Sequence, residues 1–232
     1  MKTLLLKVSG EFFSGANNEP IFEEKVKEFA MKIKEIHDMG YNVAIVTGGG
    51  NLFRGRDLPN MESVKGDSMG MLGTVLNAIV ISNSLEELNI PYKTVTPFDL
   101  KGVSAVNMTD DDARKECHEG IVIVYGGGTG YPGCTTDTAA GKKAVAINAD
   151  VLIKITSVGK IYDKDPKKYS DAKPITKLTI DEAINNSNIN IMDQACMEDC
   201  RNNNIEIWIC SFNDLIKAIK GEIAPGTKVI IN

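Results

Sequence analysis

The sequence is poor in the residues that announce several common chemistries. Its 232 residues include two histidines, five cysteines and 6% aromatics. The cysteines (Cys117, Cys134, Cys196, Cys200 and Cys210) are odd in number, form no CxxC pair and have only His37 and His118 as co-ligands. Neither a disulfide framework nor a structural zinc site is indicated, and four of the five are expected to be small core or helix residues. No apolar stretch approaches the roughly 18 to 20 residues that span a bilayer. The run Leu4-Leu5-Leu6 ends at Lys7, too short for the core of a signal peptide, so a cytoplasmic protein with no membrane partner is expected. There is no extended block of Lys or Arg, and 26 basic against 31 acidic residues leave a net charge of −5. A nucleic-acid partner is therefore not expected, and any phosphate must be held by a few local groups. A GxxxxGK(S/T) phosphate loop is missing.

What is present is a foldable α/β pattern. With 43% hydrophobic and 25% charged residues the chain can bury a sizeable core, and its length allows one large domain or two small ones. Apolar runs over residues 1–8, 42–47, 92–96, 121–125, 151–156, 205–209 and 228–231 read as strands. Residues 21–39 carry Phe22, Val26, Phe29, Ile33 and Ile36 at helical spacing, and Gly40 ends that helix. Residues 67–89 form a long Pro-free helix, expected to be largely buried, with Met69, Leu72, Leu76, Ile79 and Val80 as one face. Thr109 and Thr135 each offer a hydroxyl cap to a following helix, and residues 179–185, 193–203 and 214–220 also read as helical. Residues 159–174 are polar and read as an exposed flap. Strands alternating with helices predict a mainly parallel sheet covered on both faces, and no linker divides it.

Two glycine clusters follow strands: Gly48-Gly49-Gly50 after 42–47, and Gly126-Gly127-Gly128 after 121–125. Parallel sheets bind ligands at the carboxyl ends of their strands, where amide-rich glycine turns favour anions. One such cluster is as well explained by a tight turn; two together favour phosphate. Gly128-Thr129-Gly130-Tyr131-Pro132-Gly133 also matches GxGxxG, with Asp150 near the offset of a ribose-binding acid. That match is set aside because it lies in mid-chain and Pro132 removes a backbone donor. His37 and His118 lie in helical, charged surroundings and are expected on the solvated surface. Lys7 and Arg54, with the separated acids Asp67, Asp137, Asp165 and Asp193, make up the kit for phosphoryl transfer by positioning and electrostatics. Each has a plainer alternative: Lys7 as a strand-end charge, Arg54 as a loop cation, Asp67 as a helix cap.

A closer resemblance rests on Lys7-Val8-Ser9-Gly10-Glu11, Gly48 to Gly55 (GGGNLFRG), Gly66-Asp67-Ser68-Met69-Gly70-Met71-Leu72, Gly128-Thr129-Gly130, Thr135-Thr136-Asp137 and Tyr162-Asp163-Lys164-Asp165-Pro166. In this order, over essentially the whole chain, they resemble the bacterial UMP kinases of the amino acid kinase superfamily. GGGNLFRG with GDxMGML separates that group from the carbamate, acetylglutamate and aspartate kinases. The resemblance implies a three-layer α/β/α sandwich with a mainly parallel central sheet, the amino acid kinase or carbamate kinase-like fold. It implies a single domain over 1–232, in which about 1–150 hold UMP and about 151–232 hold ATP, assembled as a homohexamer. The implied reaction moves the γ-phosphate of ATP to UMP, giving UDP and ADP in pyrimidine nucleotide biosynthesis. Mg2+ would enter with ATP, carried mainly by the nucleotide phosphates, and no dedicated protein metal site is implied.

By the same resemblance, ATP would be held by Lys7, Ser9, Gly10, Gly50, Arg54, Thr156, Tyr162 and Asp165. UMP would be held by Gly49, by Asp67 accepting from the ribose hydroxyls, and by Thr129, Gly130, Tyr131, Pro132, Gly133, Cys134, Thr135 and Thr136. The catalytic set would be Lys7, Arg54, Asp193 and Asp137, with Lys7 neutralising charge on the moving phosphoryl and Asp193 orienting the reacting groups and magnesium. Three places depart from the family pattern. Tyr131-Pro132-Gly133-Cys134 alters the loop that faces the pyrimidine, and Val158-Gly159-Lys160-Ile161 replaces the usual Val-Asp-Gly-Val. Ser82 and Glu86 stand where some members carry Arg and His for activation by GTP, so that regulation is not expected. Two alternatives stay open at this point: a non-catalytic nucleotide or oxyanion binder of the same fold, such as a sensor or a molybdenum-storage-like protein, and a different acid kinase of the superfamily.

Overall fold

The computed structural model describes residues 2–16, 19–55, 58, 60–164, 166, 168–186, 189, 191–222 and 226–231. Strand β1 (Thr3–Val8) is followed by a 3-10 turn (Gly10–Phe13), helix α1 (Glu23–Asp38), β2 (Asn42–Thr47), α2 (Ser63–Glu87), β3 (Tyr92–Thr96) and the short β4 (Val106–Asn107). Then come α3 (Asp110–His118), β5 (Val122–Tyr125), α4 (Thr136–Ala146), β6 (Val151–Ile155), β7 (Ile161–Tyr162), β8 (Pro174–Ile175) and β9 (Lys177–Thr179). The chain closes with α5 (Ile180–Asn185), α6 (Gln194–Asn202), β10 (Glu206–Cys210), α7 (Leu215–Ile219) and β11 (Gly226–Ile230).

The main sheet has the order β4-β3-β5-β2-β1-β6-β10-β11-β9. Every neighbouring pair is parallel except β10 and β11, so β11 and β9 run against the rest. β1 is central; β2, β3, β4 and β5 lie to one side of it, β5 being inserted between β2 and β3, and the chain then crosses to the other side with β6 and β10. The crevice beside β1 is thus a topological switch point, where ligands of such sheets bind.

Strand alternation sorts the core into two layers. Leu4, Leu6, Val8, Val43, Ile45, Val122, Val124, Val151 and Ile153 face α1, α2 and α7. Leu5, Ala44, Val46, Ile123, Leu152 and Ile207 face α3, α4, α5 and α6. Both faces are covered, which is why the strands read as unbroken apolar runs rather than as alternation. The expected three-layer α/β/α architecture with a mainly parallel sheet is what the chain forms.

Several local expectations need correction. α2 begins at Ser63, so Asp67 lies in its second turn and is not its cap. Its buried face carries Thr74, Asn77, Ala78, Ile81 and Leu85, whereas Leu72 and Leu76 are 49% and 53% exposed. The helix is apolar on both sides, so periodicity alone picked the wrong stripe. An 18-residue window of α2 also reaches a mean hydropathy of 1.3 with half of it buried, so the chain does contain one helix long and apolar enough to cross a membrane, here used as a core element. The flap carries a β7–β8 hairpin, and β9 joins the main sheet beyond it. The histidines are tethered: His37 Nε2 lies 2.9 Å from the Gly120 carbonyl and His118 Nε2 3.1 Å from that of Ile147. Cys117, Cys196, Cys200 and Cys210 are buried and Cys134 is exposed, as expected. Burial pushes the Cys117 and Cys210 thiols up to about 12, which leaves them inert.

α4 and α6 pack closely through Gly141, where a Cβ would come 2.9 Å from the Cys196 Cα. Gly141→Ala should lower the thermal unfolding temperature, although alanine in a helix interior gains about 1 kcal/mol over glycine. A melting temperature at or above wild type would show that the two helices can part without loss.

Candidate active site

Both glycine clusters are held by one helix. On α2, the Asn77 side-chain amide donates to the Gly48 carbonyl at 2.7 Å and exchanges hydrogen bonds with Asn51, itself in the first glycine loop. Three residues earlier, Thr74 Oγ1 accepts from the Gly127 N–H at 2.7 Å in the second cluster. Seven residues before that, on the same face of the helix, Asp67 Oδ2 accepts from the Gly133 N–H at 2.7 Å. Gly49 has to be glycine at this approach, since a Cβ would lie 2.6 Å from the Gly70 carbonyl oxygen on α2. Thr74 and Asn77 escaped the sequence reading because single polar residues in an apolar helix carry no motif.

These loops and α2 enclose a cleft of about 340 Å3, within the range of small-molecule sites. Of the residues expected to hold an acceptor nucleotide, Gly49, Asp67, Thr129, Tyr131, Cys134, Thr135 and Thr136 line it, as does Gly50. Gly130, Pro132 and Gly133 belong to the same loop; Gly133 reaches the cleft through its bond to Asp67. Phe53 and Met71, from the GGGNLFRG and GDxMGML segments, line it too, as does Thr74, which no motif marked. Tyr131 is 74% exposed at the rim.

A second cavity of about 500 Å3 opens beside the ends of β1, β6 and β10. Ser9, Glu11, Thr156 and Ser157 line it, with Phe12 and Phe212 as an apolar wall whose ring centroids are 4.7 Å apart. Gly10 follows Ser9 in the 3-10 turn. Tyr162 sits on β7 and does not line this cavity. Asp165 lies outside the described residues. Arg54 stands at the seam of the two spaces. Its Nε donates to the Gly50 carbonyl at 2.7 Å, and its Nη2 pairs with Glu11 Oε1 at 2.6 Å. Ser9 Oγ donates to the other oxygen of the same carboxylate.

The acids Asp137 and Asp193 converge on the first turn of α4. Thr135 caps that helix, accepting from the Asp137 and Thr138 N–H groups. Asp137 Oδ1 lies 2.7 Å from Lys7 Nζ and its Oδ2 accepts from Lys154 Nζ at 2.9 Å. Asp193 caps α6 by accepting from the Cys196 N–H at 2.8 Å, and its other oxygen accepts from the Thr135 and Thr138 hydroxyls. Burial alone would push the Asp193 carboxyl up, but the Thr135, Thr138 and Cys196 donors outweigh it and hold the group below its ordinary value. Asp193 is therefore ionised at neutral pH.

Three other sequence features take structural roles. Asp150, the supposed ribose acid, accepts from the Thr3 N–H at 2.7 Å at the amino ends of β1 and β6, the opposite edge of the sheet from the glycine loops. Ser82 is buried and 2.7 Å from Thr94 Oγ1, and Glu86 accepts from the Tyr92 hydroxyl at 3.0 Å.

Comparison with known proteins agrees with this geometry. Residues 2–211 match the sequence model of the amino acid kinase family. The chain is 42% identical to a uridylate kinase of Fervidobacterium nodosum over 99% of this chain and 98% of that one. It is 38% identical to a uridylate kinase of Thermosipho melanesiensis with the same coverage. Among solved structures, the crystal structure of UMP kinase from Bacillus anthracis superposes with a TM-score of 0.92 at 28% identity, covering 99% of this chain and 96% of that one. UMP kinase from Ureaplasma parvum gives 0.91 at 24% identity, a likeness of fold, over 99% and 98%.

The lowered value of Asp193 has a consequence in acid. Its contribution to stability is complete above the unfolded value of about 3.9 and is lost as pH falls through the lower folded value. Unfolding temperature recorded below about pH 5 should fall more steeply for wild type than for Asp193→Asn, whose amide oxygen keeps the cap. Parallel curves would show that Asp193 is not held ionised by its donors.

Proposed function

The chain belongs to the amino acid kinase family, and from that premise we propose that it is a UMP kinase, transferring the γ-phosphate of ATP to UMP to give UDP and ADP. The observation that carries the reading is the pair of cavities at the carboxyl ends of the strands, bridged by Arg54, which bonds Gly50 of one and Glu11 of the other, with Lys7 paired to Asp137 next to Thr136. The cleft beside α2 takes UMP, and the cavity beside β6 and β10 takes ATP. This assigns the half built from residues before about 150 to the acceptor and the half after it to the donor. A non-catalytic binder would need the clefts but not a lysine and carboxylate paired at their junction, so the charges favour the enzyme.

The chemistry asks little covalent help from the protein. A phosphate oxygen of UMP is anionic at neutral pH, its second ionisation lying near about 6 for a phosphate monoester. No base has to remove a proton, which accounts for an active site without histidine. That oxygen attacks the γ-phosphorus in line, the new O–P bond forms, and the bond to the bridging β,γ-oxygen breaks with its electrons leaving on ADP. Lys7 neutralises charge on the moving group, and Arg54 clamps phosphate oxygens with its planar fork. Asp67 accepts from the ribose of UMP, and the amide-rich loop from Thr129 to Thr136 receives its phosphate at the first turn of α4.

Mg2+ fits the donors present. The ionised Asp193 would hold it from the protein side, and when bound it would neutralise the β- and γ-phosphates. The product would feed pyrimidine nucleotide biosynthesis. A homohexamer is supported by the apolar stripe that α2 leaves outside the core, Val64, Met69, Leu72 and Leu76, each at least 39% exposed. Light scattering should give six chains of 25.2 kDa, and a monomer at micromolar concentration would remove the assembly.

Purified protein with ATP and Mg2+ should phosphorylate UMP much faster than CMP, AMP or carbamate; equal use of CMP would end the claim of uracil selectivity that Tyr131 to Cys134 must support. Lys7→Ala and Asp193→Asn should each lower kcat by roughly two to four orders of magnitude in folded protein. Wild-type turnover in either would take that residue off the catalytic list.

A further inference from the structure

Lys154 lies in none of the sequence motifs, yet its ammonium is bound to the same carboxylate as that of Lys7. The cause is strand register. β1 and β6 are parallel neighbours with Lys7 opposite Lys154, and both side chains leave the face covered by α4 and α6. Their side chains are 12% and 19% exposed, and that of Asp137 between them 18%. Two ammonium groups this close and this shielded would repel strongly without an anion. Asp137 gives one oxygen to each.

The sharing sets the charge of the site. A Lys7–Asp137 pair alone would be neutral, and the second carboxylate oxygen would be free to take another N–H of Lys7. With Lys154 on that oxygen the trio carries one net positive charge, and Lys7 keeps donors for a phosphoryl oxygen. Lys154 has a second bond, to the carbonyl of Ile191, two residues before Asp193. Asp193 is in turn bonded to Thr135 and Thr138 on the turn that carries Asp137. One ammonium therefore ties β6 to Asp137 on α4 and to the segment that leads into α6.

We propose that Lys154 is a positioning residue for phosphoryl transfer: it divides Asp137 with Lys7, so that Lys7 stays net cationic and correctly aimed, and it fixes the 191–193 segment that carries Asp193. The inference rests on the UMP kinase reading. Lys154 acts through Asp137 and not by binding either nucleotide, so its loss should appear in kcat and not in KM.

The test is steady-state kinetics on full-length wild type, Lys154→Met, Lys154→Arg, Asp137→Asn and the Lys154→Met/Asp137→Asn double variant. Lys154→Met should lower kcat roughly 10- to 100-fold, the scale of a misplaced catalytic group, with KM for UMP and ATP within about threefold. Lys154→Arg, which keeps a cation able to bond both oxygens, should recover most of that loss; it also decides the matter if the Met variant does not fold. The double variant should be little worse than Asp137→Asn alone, because both act through one carboxylate. Wild-type kcat in Lys154→Met, a loss confined to KM, an Arg variant as poor as Met, or additive losses in the double variant would each overturn the proposal. Absence of UMP turnover in wild type is a separate result, which would overturn the function reading and this inference with it.

Discussion

The in-register pairing of β1 with β6 is the constraint around which the cleft is arranged. Parallel neighbours project the same face at the same level, so a lysine at the end of each strand delivers two cations to one place. A sheet interior cannot keep such a pair unpartnered, and the helix that crosses between β5 and β6 brings the anion. Asp137 sits in the first turn of α4, where the helix dipole favours a carboxylate, and the cap at Thr135 fixes that turn. Asp193 reaches the same turn from α6, and the glycine contact at Gly141 lets the two helices come close enough for it to do so. Remove the register and the anion loses one partner. Widen the helix pair and the second acid leaves.

α2 does for the glycine-loop cleft what α4 does for the paired lysines and acids. Loops normally drift because few contacts hold their backbone, yet here three side chains from one helical face grip a carbonyl of the first glycine cluster and two N–H groups of the second loop. Buried amide and hydroxyl groups such as Asn77 and Thr74 would be costly without these partners, so cleft and core stabilise one another. The other side of α2 is apolar and uncovered within one chain. One helix therefore serves the sheet, the cleft and an outward surface, which explains why its hydrophobicity shows no clean period.

Much of the fold was legible for a physical reason. Lys7, the glycine clusters and the Thr135 cap stand at strand ends and helix starts, positions marked by composition and punctuation. The buried strands were legible because coverage on both faces leaves continuous apolar runs. The face of α2 was not legible, since periodicity cannot rank two apolar stripes. Lys154 was not legible either: one lysine inside VLIKI reads as an interruption until β1 is laid beside β6. Asn77, Thr74 and Phe212 belong to the same class, because their roles exist only across elements distant in sequence. Asp150 shows the converse, where spacing suggested a ribose acid and topology put it at the wrong edge of the sheet.

An acidic protein that handles polyanions must keep its few cations occupied by its own anions, and the site shows how. Arg54 and Ser9 hold Glu11, and Lys7 and Lys154 hold Asp137. The two arrangements differ in what they ask of an incoming phosphate. Glu11 is half exposed, so the phosphate proposed at Arg54 would exchange with a carboxylate that can turn out to water, and the net gain of that exchange would be small. Asp137 is largely covered and fixed by two lysines, so it stays and leaves a net positive charge behind. On the proposed reading, affinity for the nucleotides would then come from the many contacts along the two cavities rather than from the exposed cation. On the same proposed reading the shielded charge is held back for the moment when phosphoryl charge moves past Lys7, where a preorganised cation lowers the barrier most.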